Sequence, residues 1–143
     1  MGMKLKSLTA NFLDRKTVTR KVDRKKIRVL MKQGAFVRRT AKSSMPGPTK
    51  KRKPPSSPGE PPRAQVGTLK KFIFFKYDSG TESVVVGPAR VRADDQDAPR
   101  NLEFGGTVRT GGGLARIAAR PYMGPALDEN APRFAEMWRK SIR

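Results

Sequence analysis

Apolar residues recur at helical spacing across residues 10–44. Val18, Val22, Val29, Phe36 and Thr40 fall on one line, and Leu30, Val37 and Ala41 widen that line into a face. The opposite side carries Arg15, Lys16, Lys25, Arg28, Lys32 and Arg39. This pattern predicts one long helix, with Asn11 or Asp14 as its cap. Gly34 lies inside it and costs about 1 kcal/mol relative to Ala, so close packing there is the expected reason. Upstream, Met3, Leu5 and Leu8 alternate with Lys4 and Lys6 in the manner of a short strand.

The helical period stops at residues 45–66, where seven of the eighteen residues from Met45 to Pro62 are proline. Lys50, Lys51, Arg52 and Lys53 form an unbroken basic run within it. Such a segment is predicted to be an extended arm without a ladder or a core of its own. The run also fits a nuclear-localisation pattern, a match with a high false-positive rate.

Residues 67–119 read as β-structure. Phe72 and Phe74 alternate with Ile73, Phe75 and Tyr77 in a segment apolar on both faces, as for a strand covered on two sides. Asp78-Ser79-Gly80 supplies a turn. Val84, Val85 and Val86 supply a second strand, so the pair forms an antiparallel hairpin. Arg90 to Arg100 is polar and irregular. Leu102 to Thr107 reads as a further strand, Gly111 to Gly113 as a turn, and Leu114 to Ala119 as the returning strand.

Pro121 biases Arg120 away from helical geometry, so the chain should turn there before a C-terminal helix within 120–143. Pro125 suits the first turn of that helix, and Asp128 and Glu129 lie near its start. Leu127, Phe134 and Trp138, spaced by seven and four, share one face. Pro132 lies between them and should kink the helix or divide it. The reading is a single α+β domain over residues 1–143. A long N-terminal helix and a C-terminal helix pack on a small antiparallel β-sheet, with a long Pro-rich basic arm.

Charge changes this picture. The net charge is +20, with +16 of it on residues 1–63 and +4 on residues 64–143. That excess signals contact with something anionic, or burial of charge in an assembly. The solvated side of the long helix accordingly reads as a plain polar face, or as one turned toward nucleic acid or an acidic neighbour. With no Cys and no His, disulfides, ordinary zinc sites and the commonest general base are excluded. There is no apolar run of about 18 residues, so no membrane span is expected. The N-terminus has no apolar core of secretory-signal length.

Candidate chemistry is sparse. Asp94, Asp95 and Asp97 lack the spacing and turn glycine of a calcium loop. Gly111-Gly112-Gly113 lacks the Gly-Lys-Ser/Thr of a phosphate loop and precedes a strand. Glu103, expected in a strand, has Arg116 and Arg120 downstream, which suggests a cross-strand or inter-subunit ion pair. A catalytic carboxylate would need a partner acid or a metal, and neither is evident. No cofactor and no enzymatic activity are expected.

The pieces Leu102-Glu103-Phe104-Gly105-Gly106-Thr107 and Ala119-Arg120-Pro121-Tyr122-Met123-Gly124-Pro125-Ala126 resemble the "EFG-T … ARPFM-PA" ending of a tailed-phage neck family of head–tail joining or tail-completion proteins. Phe36 to Ser44 resembles the end of that family's long first helix, and Gly67 to Ile73 resembles the start of its first strand. The match covers roughly two thirds of the chain in this order. It departs at Lys71 and Phe72, where the family often has a serine, and in its longer, more basic Pro-rich stretch.

The resemblance implies a structural virion component in the neck of a tailed phage. Copies would form a homo-oligomeric ring, a hexamer or dodecamer, between a head-completion or portal-side ring and a tail terminator or tail tube protein. Glu103, Phe104, Gly105, Arg120, Pro121, Tyr122 and Met123 would be its interface or structural motif, with Phe72 and Phe74 at a seam between neighbours. Lys50, Lys51, Arg52, Lys53, Arg38 and Arg39 are the candidates to face DNA in the lumen or a partner. The competing reading is a basic, non-specific nucleic-acid-binding protein of ribosomal or nucleoid type. It rests on the charge of residues 1–63, and is opposed by the lack of aromatic residues on the basic face.

Overall fold

A 30-residue helix, α1 (Arg15–Ser44), forms the spine. The computed structural model describes residues 14–47, 54–63, 68–89, 98–110 and 112–141. The proposed strand at Met3–Leu8, the basic run at residues 50–53 and the aspartates at 94, 95 and 97 lie outside the described residues. Asp14 caps α1, its carboxylate accepting from the Thr17 amide at 3.1 Å and from the Thr17 hydroxyl. These bonds hold its pKa below the ordinary carboxylate value. Val29, Gln33, Gly34, Val37 and Ala41 are buried. Val18 and Val22 are not: among the described residues they are 46% and 58% exposed.

The remaining elements are α2 (Thr68–Lys71), β1 (Ile73–Asp78), β2 (Ser83–Pro88), α3 (Ala98–Phe104), β3 (Gly106–Thr110), β4 (Gly113–Ile117) and α4 (Met123–Ser141). The architecture is α+β as expected, but among the described residues the strands form two antiparallel pairs, β1–β2 and β3–β4, instead of one sheet. In the first, Phe74 faces Gly87 and Lys76 faces Val85 across the ladder. The predicted first strand begins late, at Ile73, because Thr68–Lys71 closes a helical turn with Phe72 donating to the Thr68 carbonyl at 3.1 Å. In the hairpin loop the Asp78 carboxylate accepts from Gly80 and Thr81. Glu82 then adopts a positive φ of 50° and reaches Lys26 of α1 at 2.6 Å.

The expectation of a strand covered on both faces is half right. Ile73, Phe75, Tyr77, Val84 and Val86 turn toward α1. On the outer face Phe74 and Val85 stay 50% and 60% exposed. Gly34 is where α1 meets this hairpin: a Cβ there would stand 2.7 Å from Val84 Cγ2 and 3.2 Å from Phe75 Cδ2. The core joins Val37, Ala41, Met45, Ile73, Tyr122 and Ala126, with Leu69, Val86, Leu102, Met123 and Phe134 packed against it. Met45, assigned by sequence to the arm, thus belongs to the body.

Helix α4 runs antiparallel to α1. Asn130 is buried and donates to the Thr40 hydroxyl at 2.8 Å, and Gln33 donates to the Phe134 carbonyl at 3.5 Å. It runs unbroken through Pro132, correcting the expected division. Ala126, Asn130 and Phe134 hold it to α1 on both sides of that residue, and Pro132 and Asp128 are exposed, so the carbonyl freed by the missing N–H lies on the solvent side. Of the expected apolar face, Phe134 and Trp138 are half-buried and Leu127 is 48% exposed.

The described part of the arm, residues 54–63, is not free-standing. Ser56 and Pro62 are buried. Gly59 donates its amide to the Ala119 carbonyl at 2.8 Å, and the Ser56 carbonyl accepts from Arg120 Nε at 2.9 Å. Composition favours an extended chain here, and these two bonds to the β4–α4 connection supply what the arm cannot supply itself.

Candidate functional site

Two stretches distant in sequence meet at the start of α4. The sequence predicts Leu102–Phe104 as a strand; it is instead the last turn of α3, whose Pro99 suits a first helical turn. The apolar-acidic-apolar triplet is too short to fix a period of two against one of 3.6. Gly105 ends α3 with a φ of 75°, the left-handed conformation that glycine adopts most readily after a helix. A Cβ there would stand 3.1 Å from the Ala119 amide nitrogen and 3.2 Å from the Ile117 carbonyl. The Arg120 amide also donates to the Leu102 carbonyl at 2.6 Å. The end of α3 and the end of β4 are therefore in backbone contact.

This places the Glu103 carboxylate on the N-terminus of α4. Oε2 accepts from the amides of Tyr122 and Met123 at 2.9 and 3.0 Å, and Oε1 accepts from Gly124 at 2.7 Å. The first N–H groups of a helix have no partner inside it, and the aligned peptide dipoles favour a negative charge there. Glu103 supplies both needs from a remote position. Within the chain this replaces the expected cross-strand pair with Arg116 or Arg120: the carboxylate has three amide partners, and Arg120 holds the Pro-rich arm. Tyr122, beside it, is 1% exposed. Burial first, and the Glu103 charge second, push its phenol up to about 12.

Glu103, Gly105, Arg120, Pro121, Tyr122 and Met123 are thus one built unit. Phe104 is on its edge and points elsewhere: its ring is 77% exposed. It lines a groove of about 530 Å³ together with Val37, Val84, Val86, Tyr122 and Leu127. Phe72 and Phe74 lie apart, on the outer face of β1–β2, with ring centroids 6.3 Å apart and exposures of 37% and 50%. The groove is lined by the inner face of the same hairpin, so the two apolar surfaces lie on its opposite sides.

The basic candidates divide. Arg38 is half-buried and its Nε donates to the Ile73 carbonyl at 2.7 Å. It holds β1 to α1. Lys42 and Lys70 likewise donate to the carbonyls of Lys71 and Met45. Burial, then the neighbouring Arg38 and Lys70 charges, hold Lys42 below its ordinary pKa. Arg39, about 100° further round α1, is exposed. It continues a row that includes Arg20, Lys21 and Arg24, absent from the polar face expected above although they precede Arg28 by eight, seven and four residues.

Among the described residues there is no cluster of acidic side chains able to hold a metal ion and no helix long and apolar enough to cross a membrane. No family model, no curated protein and no solved structure matches the chain.

Proposed function

We propose that this chain is a structural virion protein of a tailed phage, a subunit of a neck ring joining the DNA-filled head to the tail. The observation that carries the reading is the meeting of the two stretches that bear the family resemblance. Glu103-Phe104-Gly105 and Ala119-Arg120-Pro121-Tyr122-Met123-Gly124 form one unit through the carboxylate on three amides and through Gly105 against Ala119. A shared order of short motifs gains weight when the motifs have a joint structural task.

The surfaces fit a ring. A closed ring of identical subunits uses a heterologous interface, in which two different surfaces of one chain complement each other. The Phe104–Leu127 groove on one side of the hairpin and the Phe72–Phe74–Val85 face on the other are two distinct apolar surfaces of the kind such an interface would use. Neither calls for catalysis, and the side-chain chemistry found at the motif is spent on amides of the fold.

The test is quantitative mass spectrometry of purified phage particles from the source. The expected result is this chain at ring-like copy number, in proportion to portal and tail proteins. Its absence from particles, with abundance in the cell bound to nucleic acid, would overturn the proposal in favour of a free nucleic-acid-binding protein.

A further inference from the structure

Helix α1 contains twelve Lys/Arg and one carboxylate, Asp23. Asp23 is engaged by Lys26 at 3.4 Å, and Lys26 is drawn in turn to Glu82 at 2.6 Å. That group lies toward the hairpin. Between the edge of α1 that meets β1 through Arg38 and the edge that faces α4 at Arg28 and Lys32, the side chains of Arg20, Lys21, Arg24, Arg28, Lys32 and Arg39 are all exposed. At 100° per residue they fall within an arc of about 120°, and at 1.5 Å per residue they extend over about 28 Å. Arg133 of α4, also exposed, lines the same hollow as Arg28 and Lys32 and widens the row.

We propose that this row binds duplex DNA through its phosphates, without reading sequence. The inference stands on the placement of these cations and does not rest on the neck reading. A protein partner fits poorly, because the centre of a protein interface is depleted of charge, and only Met31 and Ala35 interrupt the cations. A single strand fits poorly, because stacked bases need exposed aromatic rings, and Phe36, which lines the hollow with Arg28 and Lys32, is half-buried. A membrane surface fits poorly, because the apolar side that α1 would have to insert already holds Val29, Val37 and Ala41 in the core.

The geometry also favours B-form DNA over duplex RNA. Helix α1 has no buried residue before Val29. The last helical residue of α4, Ser141, shares a hollow with Arg28 and Val29, and the hairpin loop reaches α1 at Lys26. Among the described residues, the segment from Arg15 to Arg24 therefore extends about 15 Å past these contacts. A B-form major groove, about 12 Å wide, admits a helix. The deep, narrow major groove of A-form RNA does not.

The test uses the full chain and a mixed-sequence duplex of about 30 bp, with fluorescence anisotropy over a salt series. The variant Arg20→Gln/Arg24→Gln/Arg28→Gln is set against Lys76→Gln/Arg109→Gln/Arg116→Gln, an equal loss of exposed charge elsewhere. The row variant should lower the slope of log K against log salt by roughly 2.7, or 0.9 for each lost phosphate contact. The control should leave it near the wild-type slope, and both should melt with the wild type. Duplex RNA of the same length should bind at least about tenfold more weakly. No binding of DNA by the wild type, an unchanged slope in the row variant, or an equal fall in both variants would overturn the proposal. Equal affinity for duplex RNA would overturn its commitment to DNA.

Discussion

Removing the Glu103 side chain tests how much of the fold depends on one carboxylate. In Glu103→Ala the amides of Tyr122, Met123 and Gly124 lose their acceptor. The first two are partly buried and the third is exposed, so water replaces the carboxylate well only at Gly124. Each poorly solvated amide costs about 1 kcal/mol, and the lost charge at a helix N-terminus adds about 0.5–1 kcal/mol. The expected destabilisation is about 3 kcal/mol, or roughly 10 °C in Tm for a chain of this size. Glu103→Gln keeps one acceptor oxygen but turns an NH₂ toward the helix, and should lose about half as much. Thermal unfolding followed by far-UV circular dichroism, with urea midpoints as a second measure, reads both. An Ala variant melting within about 1 °C of the wild type would refute the reasoning, because the three bonds would then be a consequence of the fold and not a support.

Gly34→Ala should destabilise by about 1–2 kcal/mol despite Ala's helix propensity, because Val84 and Phe75 must move to admit the methyl group. A higher urea midpoint in that variant would show that the hairpin gives way freely. Tyr122 makes stability fall at high pH. Its folded pKa, raised from 10.0 to about 12, favours the neutral phenol, so the associated stability is complete below about pH 10 and is lost as pH rises toward 12. Urea midpoints between pH 9 and 11.5 should show this decline in the wild type and less of it in Tyr122→Phe. An identical decline in both would exclude Tyr122 as its source.

Much of the fold was legible because its signals are local. The 3.6 period of α1, the Asp14 cap, the turn at Asp78–Gly80 and the Pro121 corner each act within a few residues. Gly34 was legible as a packing position because a mid-helix glycine has a cost that something must offset. The failures are non-local. Leu102-Glu103-Phe104 has the same letters whether it ends a helix or runs in a strand, and only the amides nineteen to twenty-one residues away decide what Glu103 does. The arm reads as extended from composition, yet Arg120 and Ala119, far along the chain, bind it. Val18 and Val22 satisfied the helical period and still meet no core among the described residues, since periodicity shows which side of a helix is apolar and not how far the neighbouring elements extend.

The Glu103 clamp grips main-chain atoms, and this divides substitutional freedom unevenly between its two ends. At position 103 a long carboxylate is required. At positions 122 and 123 the grip itself asks only for amides, so within what the core around Tyr122 admits, residues of like size such as Tyr or Phe, Met or Leu can alternate there while the grip stays intact. Sequence drift in a chain built this way is therefore expected to erode one half of the motif pair faster than the other. A lone glutamate ahead of a glycine, seventeen residues before an Arg-Pro corner, would then outlast any wider similarity.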